Sequence, residues 1–141
     1  MLKVILDTDI LSETFKQLDP IVVARAKSYL HVFPTLSYTS VSLVEILSGL
    51  HAKDAKNQIA RAEAFLGRHE QIVPDSEDYM LAARIIGNLQ RAGRPIVWDD
   101  PVIASCAIRR GLPLATANTK HYQNIINIGY PLTLDNWREP R

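Results

Sequence analysis

Apolar and polar positions divide the chain into short apolar runs separated by longer helical stretches. Leu2 and Val4 to Leu6 form a buried-strand pattern that stops at Asp7. A helix is predicted over Ile10 to Leu18, with Asp9 able to cap its start, and another over Pro20 to Leu30. Pro34 to Thr39 reads as a strand. Ser42-Leu43-Val44-Glu45 has the capping-box pattern and predicts a helix ending near Gly49. Ala55 to His69 is helical, with Ile59, Ala62, Phe65 and Leu66 on one face. Gln71 to Val73 is a short strand before Pro74. Asp75 then opens a helix with Tyr79, Ala82, Ala83, Ile86 and Leu89 facing inward and Gly93 at its end. In Asp99-Asp100-Pro101 either aspartate can cap a helix, and Pro101 suits its first turn. Ile103, Ala104, Ala107 and Ile108 form the inner face of that helix, and Gly111 stops it. Leu112 to Thr116 and Pro131 to Leu134 supply the last strands.

Strands alternating with helices predict the α/β class: a three-layer α/β/α sandwich around a central, mainly parallel sheet of about five strands. The length suits a single domain over residues 1–141. In such sheets ligands bind beyond the carboxyl ends of the strands. Asp7 follows the first strand and Asn118 the fourth, while Glu45 and Asp100 fall in the first turns of helices. All four are expected at one edge.

Composition narrows the setting. With 47% hydrophobic and 22% charged residues the chain reads as an ordinary globular protein with a packed core. The single cysteine, Cys106, rules out an intramolecular disulfide and lies in an apolar stretch, which suits a reducing compartment. No secretory signal or uninterrupted apolar span stands out, so a cytoplasmic location without membrane contact is expected. A net charge of +1, from 16 basic and 15 acidic residues, neither demands nor excludes a nucleic-acid partner.

Carboxylates converging without a cysteine or histidine cluster favour a hard cation, Mg²⁺ with Mn²⁺ as a possible substitute, bound through oxygen. Such an ion can orient a phosphodiester and activate water; one ion or two is left open. Each residue also has a plainer reading. Asp7 and Asn118 suit turns, Asp9 suits a cap, Glu45 suits a capping box, and one of Asp99 and Asp100 suffices as a cap. Their joint placement at one edge carries the chemical reading. Of His31, His51, His69 and His121, only His121 lies near that edge, so a histidine-pair mechanism is not supported. Neither a glycine-flanked serine nor a phosphate-binding glycine loop is present.

Five stretches in order resemble PIN-domain ribonucleases, particularly the VapC-like toxins of bacterial toxin–antitoxin pairs. They are VILDTDILSE, TSVSLVEILSGL, GRPIVWDDPVIASCAIRRGLPLAT, TANTKHYQNI and PLTLDNW. The resemblance implies a Mg²⁺-dependent endoribonuclease that hydrolyses RNA phosphodiesters, leaving 5′-phosphate and 3′-hydroxyl ends. Asp7, Glu45 and Asp100 would hold the metal; Asp100 is chosen over Asp99 because Ile103-Ala104 follow it at the family's spacing. Asn118 would be the fourth catalytic position, with Thr116 supporting the site. A neutral Asn118 would hold a second metal less tightly. Asp9 stands where the family commonly has Asn. A small VapB-like antitoxin would be the partner, with DNA reached only through it, and a homodimer is expected. Arg94, Arg109, Arg110 and Lys120 are candidates for phosphate contacts, although Arg109 and Arg110 also suit the end of their helix. Ile10, Leu11, Phe15, Leu18, Val22, Val23 and Tyr29 are read mostly as core, with an antitoxin groove or homodimer face as the other possibility.

Two other readings compete. Asp7-Thr8-Asp9 also resembles the opening of haloacid-dehalogenase-type phosphatases, with Asp7 as nucleophile, but that leaves Glu45 and the Thr-x-Asn turn unexplained. A non-catalytic PIN-like interaction domain is the other, and the retained carboxylates argue against it.

Overall fold

The computed structural model describes residues 1–140. Five short strands alternate with seven helices: β1 (Ile5–Leu6), α1 (Thr8–Lys16), α2 (Pro20–Leu30), β2 (Ser37–Thr39), α3 (Ser40–Ala52), α4 (Lys56–Gly67), β3 (Glu70–Ile72), α5 (Ser76–Arg91), α6 (Asp99–Arg110), β4 (Leu114–Ala115), α7 (Thr119–Asn127) and β5 (Leu134–Asp135).

All strand pairs are parallel. β4 lies between β1 and β5, with Ile5 opposite Leu114 and Leu114 opposite Leu134. β2 pairs with β3, with Tyr38 opposite Gln71. β1 and β2 lie side by side, so the two ladders form one layer in the order β3-β2-β1-β4-β5.

Successive strand residues point to opposite faces, and the core divides accordingly. Ile5 and Leu114 pack with the inner faces of α5, α6 and α7, through Ile85, Leu89, Ile103 and Ile125. Val4, Leu6 and Ala115 pack on the other side with Ile10, Leu11, Val22, Tyr29 and Leu66 from α1, α2 and α4. This is the three-layer α/β/α arrangement. Most of the apolar residues of α1 and α2 are core, as expected, whereas Leu18 is exposed. Because the strands are parallel, their carboxyl ends share one edge, and α1, α3 and α7 all start there.

Several boundaries differ from the sequence pattern. The α1 N-cap is Asp7, whose side chain accepts from Thr8 N–H, so Asp9 lies within the first turn rather than at the cap. The Ser42–Glu45 capping box does not form. α3 already begins at Ser40, and Ser42 turns its hydroxyl toward Thr8. A capping box does form at Asp75 and Asp78 in α5. The buried face of that helix is rotated from the expected one: Asp78, Leu81, Ala82, Ile85 and Leu89 face inward, while Tyr79 is 49% exposed. The rotation follows from Asp78, a charged residue on an inner face that basic partners neutralise. Neither Asp99 nor Asp100 caps α6. Its N-cap is Trp98, without a side-chain cap bond, and both acids sit in the first turn. Gly111 ends α6 with φ of 64°, a left-handed conformation that glycine adopts without a Cβ clash.

Candidate active site

Asp7, Glu45, Asp100 and Asn118 line one cavity of about 430 Å³ at the carboxyl edge of the sheet. The strand β1 delivers Asp7 to its floor, where the side chain is 5% exposed. Three donors hold it there. Thr8 N–H and the Tyr122 hydroxyl reach Oδ1 at 2.9 and 3.0 Å, and the Thr116 hydroxyl reaches Oδ2 at 2.9 Å. The walls come from two helices. α1 contributes Thr8, Asp9, Ser12 and Lys16, and α3 contributes Glu45, Ile46 and Gly49, with Lys53 at its C-cap. The Thr8 hydroxyl donates to Glu45 Oε1 at 2.6 Å and lies 2.7 Å from the Ser42 hydroxyl. Asp100 Oδ2 lies 2.9 Å from His121 Nε2.

The carboxylates crowd one another electrostatically. Burial, then Asp9 and Asp100, push the Asp7 carboxyl from the usual 3.8 up to about 7, against the opposing bonds from Thr8 and Thr116. Burial, then Asp99 and Asp100, raise Glu45, with the Thr8 bond pulling the other way. Burial and Asp99 raise Asp100, against His121 and Tyr122. Like charges gathered out of water favour a counter-cation.

The match to known proteins agrees with this placement. The PIN domain family model matches residues 4–125. The chain belongs to the PIN-domain family. Its relatives are VapC proteins: it is 30% identical over 126 residues to the tRNA(fMet)-specific endonuclease VapC of Shigella flexneri, covering 89% of this chain and 93% of that one. Among solved structures it superposes on DNA-bound VapBC from Salmonella typhimurium with a TM-score of 0.79 and 25% identity, covering 97% and 99% of the two chains. VapBC2 from Rickettsia felis, bound to a DNA fragment from its promoter, gives the same TM-score and identity over 94% and 97%.

Within this PIN domain the sequence-derived residues meet, but not all in the roles expected. Asn118 lines the cavity, and its backbone N–H donates to Thr116 Oγ1 at 3.0 Å. Thr116 therefore links Asn118 to Asp7. Asp9 also lines the cavity; its Oδ2 accepts from Ala117 N–H at 3.4 Å. The phosphate role assigned to Arg109 and Arg110 does not fit. Arg109 pairs with Asp75, Glu77 and Asp78, and Arg110 pairs with Asp78 and with the Cys106 carbonyl. Arg94 and Lys120 are exposed and lie outside the cavity lining. The cations that do line it, Lys16 and Lys53, had a sequence signal. Asp9, Ser12 and Lys16 follow three-and-four helical spacing, as do Glu45, Gly49 and Lys53. Tyr122 had none, because a tyrosine within an amphipathic helix reads as core.

The donor set suits a hard divalent cation: carboxylates, hydroxyls and an amide, without a thiolate. Among the described residues no three His, Cys, Asp or Glu side chains stand close enough to cage an ion directly. A small, strongly hydrated cation such as Mg²⁺ needs only one or two direct carboxylates and keeps several waters, so the two observations are compatible.

Proposed function

We propose that the chain is a divalent-metal-dependent endoribonuclease and the toxin of a toxin–antitoxin pair, with Asp7, Glu45 and Asp100 holding Mg²⁺ or Mn²⁺ and Asn118 completing the site. The observation that carries this reading is the convergence of Asp7, Glu45 and Asp100 from β1, α3 and α6 on one desolvated cavity. A cation bound there would supply charge neutralisation and a water acidic enough to attack phosphorus at neutral pH. Within the chain, Asp7 is fixed by Thr116 and Tyr122, and Glu45 is oriented by Thr8. Lys16 and Lys53 at the wall put positive charge beside the carboxylates, which could serve the flanking phosphates of a single strand. No side chain is needed as a nucleophile, and the expected products carry 5′-phosphate and 3′-hydroxyl ends.

The S. flexneri relative's name makes transfer RNA the first substrate to try, and the VapBC structures make a VapB-like protein the first partner to try. DNA would be contacted through that partner, and a homodimer is part of the same proposal. No helix among the described residues is long and apolar enough to cross a membrane; a cytoplasmic site of action is a further part of the proposal. Purified protein should cut RNA with Mg²⁺ or Mn²⁺ and stop in EDTA, with end mapping showing 5′-phosphates. Cleavage that persists in EDTA would sink the metal reading. A covalent phosphate on Asp7 would restore the phosphatase alternative, and binding of a partner without cleavage of any RNA would favour a non-catalytic domain.

A further inference from the structure

The segment running from β4 into α7 grips Asp7 by both carboxylate oxygens, through Thr116 on Oδ2 and Tyr122 on Oδ1. Asp100 lines the same cavity as Asp7. Tyr122 is 0% exposed, and its ring packs among Ile5, Leu114 and Ile125 in the core. A phenylalanine ring would fill the same apolar space. The hydroxyl must therefore be explained by what it faces, because burying a phenol costs free energy unless its oxygen is bonded. It faces an acid on the floor of the cavity. A phenol donates one proton, and Asp7 Oδ1 accepts it at 3.0 Å. The ring is clamped by the core and has only two side-chain torsions, so the position of its oxygen is set by packing.

We propose that Tyr122 is a positioning residue of the metal centre, its hydroxyl fixing the carboxylate of Asp7 in readiness for a divalent cation. The proposal rests on the reading of Asp7 as a ligand. Without the hydroxyl, Oδ1 of Asp7 keeps only the Thr8 N–H. The carboxylate is then held by two donors instead of three. Groups that orient metal ligands in this way typically change metal affinity 10–100-fold when removed.

Tyr122→Phe deletes one oxygen and keeps the ring. Mn²⁺ titration calorimetry on the full chain without RNA, paired with melting in EDTA, separates positioning from folding. The variant is expected to bind Mn²⁺ roughly 10–100-fold more weakly while melting within a few degrees of wild type. The Mn²⁺ concentration for half-maximal cleavage should rise by the same factor, with the KM for RNA unchanged at saturating metal. Equal Mn²⁺ constants overturn the proposal and leave the metal reading standing. Wild-type protein that takes up no Mn²⁺ overturns the metal reading and this proposal with it. A second readout needs no variant: Mn²⁺ binding to wild type should shift the absorbance of a buried tyrosine, and a tyrosine band unmoved at saturation overturns the proposal.

Discussion

The Thr8 hydroxyl donates to Glu45 Oε1 at 2.6 Å, joining the first residue of α1 to the middle of α3 across 37 positions of sequence. That bond lowers the Glu45 carboxyl, against burial and the fields of Asp99 and Asp100, which raise it. Thr8→Val keeps the shape and removes the donor. Glu45 then needs a higher pH to ionise, so the acid limb of the pH–rate profile should move upward. Cleavage at neutral pH should fall roughly 10-fold, the low end for a group that orients a metal ligand. An unmoved acid limb in Thr8→Val would show that Glu45 does not titrate in the reaction.

Asp7 couples the site to stability. Its carboxyl titrates near 7 in the fold and near 3.8 when solvated. Between those values the folded chain holds a proton that the unfolded chain has released, so metal-free stability falls as pH rises from about 3.8 to 7. The full effect is roughly 4 kcal/mol. Asp7→Asn removes this penalty along with the proposed ligand. In EDTA the variant should melt above wild type at pH 8, by roughly 5–10 °C, with the margin closing toward pH 4, while RNA cleavage is abolished. A variant that melts equally far below wild type at both pH values would contradict the assignment, and so would one that cleaves normally.

The legible part of the molecule was the part that local chemistry decides. α2 runs from Pro20 to Leu30 as its pattern predicts, because Asp19 accepts from Ile21 and Val22 N–H and Pro20 suits the first turn. Gly111 ends α6 for the same kind of local reason. Asp7, Glu45, Asp100 and Asn118 share an edge because parallel strands put every carboxyl end on one side. What the sequence hid was pairing at long range. Ser42 and Glu45 fit a capping box on spacing alone, yet Thr8 takes both side chains. Tyr122 looked like core and is core, apart from one oxygen whose partner lies 115 residues away. The polar residue on the inner face of α5 could be understood only once its arginines were placed.

Those arginines give the last prediction. Asp78 is 0% exposed and meets Arg109 at 2.9 Å and Arg110 at 3.0 and 3.1 Å, while also closing the α5 capping box with Asp75. Burial alone would push its carboxyl upward. The bonds from Arg110, the Asp75 N–H and Arg109 win, and bring it down to about 2. A carboxyl lowered by folding stabilises the fold above its ordinary value of 3.8, and that contribution is lost as pH falls toward 2. Removing the acid opens the α5 capping box and leaves Arg110 without its carboxylate partner, while Arg109 keeps Asp75 and Glu77. Asp78→Ala should therefore cost about 3–5 kcal/mol near neutral pH, the range for breaking one side of a buried pair. Its melting deficit should shrink as pH drops from about 4 toward 2. Arg110→Ala should likewise lower the melting temperature and leave the KM for RNA unchanged, whereas Lys53→Ala at the cavity wall should raise KM and leave melting nearly unmoved. Melting curves and steady-state cleavage on the two variants decide the matter: an Arg110→Ala protein that melts normally but binds RNA poorly would return that arginine to the phosphate-binding role its sequence position first suggested.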